Sequence, residues 1–105
     1  MSFSRLKNLK PETFNMTQHI TIIVSGKVQG VFYRVAAKEK ADELGVKGFV
    51  RNEQNGSVFI EAEADEDVLY KFVKWCNGGP PRAQVQHVEV ISREVTGFAG
   101  FAIQR

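Results

Sequence analysis

The sequence predicts an α+β domain: an antiparallel sheet with two helices on one of its faces. Three observations predict it. Strand-like and helix-like stretches follow one another in the order βαββαβ. Both helical stretches are amphipathic, so each has one apolar side to bury. Only Gln54-Asn55-Gly56 separates the middle two strands, and Asn-Gly is among the strongest hairpin signals.

The elements follow in order. Residues 1–17 show no sustained periodicity and contain Pro11, so they are expected to form a flexible N-terminal extension to a single domain over 18–105. Ile20-Thr21-Ile22-Ile23-Val24 is a β-branched run and predicts a strand buried on at least one face. Ser25-Gly26-Lys27-Val28-Gln29-Gly30 then predicts a loop. From about Phe32 to Leu44 the period changes. Tyr33, Ala37, Ala41 and Leu44 share one helical face, and Gly45 stands where a C-terminal glycine belongs. Val46–Glu53 and Ser57–Ala64 predict the hairpin strands. In the second, Val58, Ile60, Ala62 and Ala64 alternate with Phe59, Glu61 and Glu63, as in a sheet with one buried and one wet face. Asp65-Glu66-Asp67 sets negative charge where a helix N-terminus favours it, and Leu69, Phe72, Val73 and Cys76 form the second apolar stripe. Asn77-Gly78-Gly79-Pro80-Pro81 ends that helix, Val85–Val95 predicts a strand, and Phe98–Ile103 a short final one. The order is that of the ferredoxin-like split βαβ arrangement.

Composition narrows the function. The chain has 105 residues, 43% of them apolar and 25% charged, as in one ordinary globular domain. No stretch approaches ~18 consecutive apolar residues, so no membrane span is expected. A single cysteine, Cys76, rules out an intramolecular disulfide. With no signal-peptide pattern the expected location is the cytoplasm. The net charge is +2, and Arg5, Lys7 and Lys10 against Glu12 place that excess within residues 1–17, leaving 18–105 neutral. A polyanion binder needs a basic stripe. No nucleic-acid partner is therefore expected, although one or two well-placed groups would hold a small anion.

Two segments can carry chemistry. In Gly26-Lys27-Val28-Gln29-Gly30-Val31, the glycines let successive N–H groups converge into an anion-binding concavity. The helix that follows adds its positive end. Arg34, in its first turn, offers a planar fork for two phosphate oxygens. The plain alternative is a tight turn beside a solvated arginine. The second segment is Gly48-Phe49-Val50-Arg51-Asn52-Glu53-Gln54-Asn55-Gly56. Asn52 either bonds local backbone near the turn or presents a carboxamide that orients a water by donating and accepting together.

Here the sequence resembles the acylphosphatase family. Val24-x-Gly26-x-Val28-Gln29-Gly30-Val31-x-x-Arg34 and Gly48-Phe49-Val50-Arg51-Asn52-x-x-x-Gly56-x-Val58 are similar to its two signatures. The likeness continues through Gly79-Pro80-Pro81-x-Ala83 with Val85 and Val88, and ends at Phe98-x-x-Phe101-x-Ile103. It implies an open-faced sandwich that hydrolyses the carboxyl–phosphate bond of acyl phosphates without a metal or other cofactor. It also implies that Arg34 binds phosphate, that the amides of Gly26 to Val31 cradle its oxygens, and that Asn52 positions the water. Tyr33 stands where the family usually has Phe or Met, and Ala64 where a glycine is common. A buried Tyr33 needs a partner for its hydroxyl, and Ala64 is mild unless that position requires positive φ.

Few groups suffice for such a reaction. The leaving carboxylate has a conjugate-acid pKa of roughly 4 to 5, so it departs without a general acid. Phosphoryl transfer then needs positioning and charge compensation. The remaining candidates have plainer expectations. His19 and His87 are expected near solvent on strands, and with only these two histidines no metal site is expected. Cys76 is expected as an inert buried thiol. Lys27 and Arg51 are solvated or add a positive field. Two other functions compete: an RNA-binding sheet displaying Phe49 and Phe59, and a non-catalytic binder of acyl or carbamoyl phosphate. The expected partner is a small acyl phosphate, and the expected state a monomer.

Overall fold

A computed structural model of the chain describes residues 16–105. The expected extension lies outside the described residues except for Met16 and Thr17. Seven elements follow: β1 (Gln18–Lys27), α1 (Tyr33–Leu44), β2 (Lys47–Asn52), β3 (Val58–Ala64), α2 (Glu66–Gly78), β4 (Gln84–Arg93) and β5 (Phe101–Ile103). They form one five-stranded sheet in the order β4-β1-β3-β2-β5. The β1–β3, β1–β4 and β2–β3 pairs are antiparallel. The expected sheet is extended by one parallel pair, because β5 lies beside β2 with Gly48 opposite Phe101 and Val50 opposite Ile103.

Alternation in the sequence sorts the two faces. Ile20, Ile22 and Val24 of β1, Val50 of β2, and Val58, Ile60 and Ala62 of β3 are all at most 2% exposed. They pack under Tyr33, Ala37 and Ala41 of α1 and Leu69, Phe72 and Cys76 of α2, in one core. These are the helical positions that the apolar spacing selects; Leu44 and Val73 pack at its edge.

The helix ends differ. Asp65 caps α2, its carboxylate accepting from the Val68 N–H, with Glu66 and Asp67 in the first turn. The N-cap of α1 is Phe32, whose side chain makes no capping bond, and its first turn has no acidic residue. Gly45 closes the C-terminus of α1, donating to the Asp42 carbonyl.

The opposite face is less open than its alternation suggests. Strands β4 and β5 occupy opposite edges, so residues 94–100 must cross the sheet. They lie over one end of its outer face. Glu63 is buried there, its carboxylate accepting from the N–H groups of Thr96, Gly97 and Phe98. Burial raises the pKa of this carboxyl, but those three bonds and His19 outweigh it and hold it below the usual carboxylate range. His19, expected near solvent, is instead 6% exposed, bonded to the Glu61 carboxylate and the Glu94 carbonyl. His87 is exposed as expected.

Candidate active site

The site builds outward from the end of β1. This strand stays paired to β4 through Lys27, two residues beyond the expected start of the loop, with a bulge between Ser25 and Gly26. Gly26 sits at φ 123°, and a methyl group there would collide with the carbonyl of Gln84 and the amide of Gln86. Only glycine brings the two backbones this close. The loop proper is therefore 28–32.

Two side chains anchor that loop from below. Val28 is 1% exposed and Val31 5%, so these residues can serve a ligand only through their main chain. Lys27 and Gly30 face solvent. Gln29 does something its sequence position does not announce. Its side-chain amide donates to the carbonyls of Glu53 and Ser57, both at 2.8 Å. The loop is thereby fastened to the β2–β3 hairpin, which carries Asn52. Among the described residues, no backbone carbonyl accepts from the N–H groups of 28–32. With the uncapped first turn of α1 they form a run of backbone donors left for something else.

Arg34 is the second residue of α1, half-buried. Its guanidinium donates from Nη1 to the carbonyl of Gln104 at 3.2 Å, and the N–H of Gln104 donates to the carbonyl of Val50 at 2.8 Å. The arginine is thus held beside the last turn of sheet in β2, two residues from Asn52. Asn52 ends β2 with the parity of Val50, on the helix side, and pairs with Val58, which pairs with Val24. Three neighbouring strands therefore place Asn52 roughly 10 Å from the strand that feeds the loop. Its Oδ1 is buried and accepts no hydrogen bond among the described residues. Buried polar atoms are nearly always bonded, so this oxygen faces a position for a donor.

Other candidates are accounted for elsewhere. Arg51 has the opposite parity to Asn52. Its guanidinium lies 4.5 Å from the Phe59 ring centre and 5.5 Å from that of Phe49, and it donates to Glu53 at 2.8 Å. Phe49 also meets Phe98 edge-on at 5.9 Å. The rings that an RNA-binding sheet would display are half-buried, both meeting Arg51 and one of them, Phe49, also meeting Phe98 of the crossing segment. Cys76 is fully buried, and burial pushes its thiol up to about 12. It is no thiolate nucleophile at neutral pH.

The two departures from the family pattern are accommodated. Tyr33 is 1% exposed, and its hydroxyl donates to the Cys76 carbonyl at 2.7 Å. Burial raises its pKa far above the usual phenol value. Gly79 makes room for the ring: a methyl there would stand 2.7 Å from Tyr33 Cε2. Ala64 lies in β3 and does not have positive φ, so the extra methyl causes no backbone strain.

The family model for acylphosphatase matches residues 20–103. A curated acylphosphatase of Rubrobacter xylanophilus is 40% identical over 94 residues, covering 89% of this chain and 86% of that protein. Among solved structures, an acylphosphatase from Coxiella burnetii superimposes with a TM-score of 0.81 at 35% identity, covering 84% of this chain and 93% of its own. The acylphosphatase of Bacillus subtilis gives 0.81 at 36% identity, covering 86% of this chain and all of its own.

Proposed function

This chain belongs to the acylphosphatase family, and from that premise we propose how it works: Arg34 and the 26–31 loop bind the phosphoryl group of a small acyl phosphate, and Asn52 orients the water that attacks it. One observation carries the proposal. Among the described residues, free loop amides, an uncapped helix start, a guanidinium and an unpartnered buried carboxamide oxygen all gather at one end of the sheet.

The phosphoryl oxygens accept from the loop amides and the first turn of α1, and Arg34 adds charge-assisted bonds. Asn52 Oδ1 accepts a hydrogen from the water and turns its lone pair toward phosphorus. The new P–O bond forms from that water as the P–O bond to the carboxylate breaks. The carboxylate leaves with the bonding pair, and the water's proton passes to solvent or to the product phosphate. Because this leaving group is already a stable anion, the step calls for neither a general acid nor a metal to neutralise it. A phosphomonoester expels a far more basic alkoxide and should be a poor substrate. We further take the enzyme to act in the cytoplasm as a monomer, on small molecules and without nucleic acid.

Hydrolysis of a chromogenic acyl phosphate tests this directly, with and without a strong chelator and beside an aryl-free phosphomonoester. Turnover of the acyl phosphate should survive the chelator, and the monoester should be turned over at least about a hundredfold more slowly. Loss of activity with chelator would contradict the metal-free step.

A further inference from the structure

We propose that Phe32, with Val35 beside it, forms an acyl subsite that favours acyl phosphates with aromatic or bulky apolar acyl groups. This rests on the acyl phosphate hydrolysis proposed above and names the substrates it prefers.

Folding gives no reason for a phenylalanine here. Phe32 is the one residue other than glycine with positive φ, 66°, among the described residues. That region disfavours a bulky side chain. Phe32 is also the N-cap of α1, a position that prefers Ser, Thr, Asp or Asn. Its ring is 70% exposed. Each other described phenylalanine, at 49, 59, 72, 98 and 101, packs against a second ring. An aromatic that is strained, exposed and without a ring partner among the described residues contributes little to stability, and such outliers gather at ligand sites.

Its position supplies the reason. Phe32 is the last residue of the loop and stands two residues before Arg34. A phosphoryl group held by both must lie within about one helical turn of it. Val35, 50% exposed, is three residues on, the spacing that brings N-cap and N3 side chains together. The phosphoryl end of the substrate is polar and points into the amides. The acyl end projects away from them, and an exposed ring flanked by a valine is what it can meet. A planar acyl group gains an aromatic contact there; an acetyl group is too small to gain much.

The test compares kcat/KM for benzoyl phosphate and acetyl phosphate in the wild type, Phe32→Gly and Phe32→Tyr. Glycine takes the left-handed conformation freely and removes the ring; tyrosine keeps it. The benzoyl-to-acetyl ratio should fall about fivefold to tenfold in Phe32→Gly and hold in Phe32→Tyr. An unchanged ratio in Phe32→Gly would overturn the subsite, including the case where both substrates slow equally, which would mean that residue 32 only shapes the loop. A wild type inactive on both substrates would instead overturn acyl phosphate hydrolysis itself.

Discussion

At the scale of single residues, Asn52 shows the sharpest conflict between chemistry and surroundings. A carboxamide oxygen is buried at the end of β2 without a donor among the described residues, which ordinarily costs about 1–3 kcal/mol. Orienting a water would account for that cost. Asn52→Ala should therefore lower kcat about a hundredfold, the scale of a lost positioning contact, while inhibition by inorganic phosphate stays nearly as strong. Collapse of phosphate inhibition in that variant would make Asn52 a ligand-binding or structural residue. The residue types were legible here: Arg34, Asn52 and the paired glycines stand out in the sequence. Their partners were not. Nothing local says that Gln29 reaches Glu53 and Ser57, that Arg34 meets Gln104, or that the Tyr33 hydroxyl finds Cys76. Each of these bonds joins residues far apart in the chain.

At the scale of elements, period and punctuation carried most of the information. Period 3.6 located both helices, Asn55-Gly56 the hairpin, and Asp65 the start of α2. The misplaced details depend on contacts between elements. β1 outruns its expected end because β4 pairs with Lys27. His19 and Glu63 read as wet-face residues, and they are buried because residues 94–100 cross above them. That segment is tethered mainly by one carboxylate, so its stability should depend on pH. The pKa of Glu63 is lowered in the folded state from an ordinary 4.5. Its contribution is thus complete above about pH 4.5 and is lost as pH falls through the lowered value. Glu63→Gln should cost about 2 kcal/mol at pH 7, and the gap to wild type should narrow by pH 3, as read by urea unfolding. A gap that stayed constant with pH would mean that the ionised carboxylate does not hold the segment.

At the scale of the whole molecule, the two ends of the sheet do different work. One end is closed by residues 94–100 over Glu63 and His19. The other gathers residues 26–31, the start of α1, the end of β2 and Gln104. The topology makes that gathering possible: β1 and β3 are central neighbours, and β5 lies beside β2 near the first turn of α1. The fold class was legible because element order and apolar spacing are local properties. The parallel β2–β5 pair was not, because a three-residue strand carries too little pattern to choose its edge. The central claim is that backbone donors and one guanidinium hold the phosphoryl dianion. Its most direct measurement is the inhibition constant of inorganic phosphate for wild type and Arg34→Ala, with circular dichroism to confirm the fold. We expect Arg34→Ala to stay folded, to bind phosphate at least about a hundredfold more weakly, and to lose kcat/KM by at least that factor. A folded Arg34→Ala that binds phosphate and turns over acyl phosphate as the wild type does would contradict the claim.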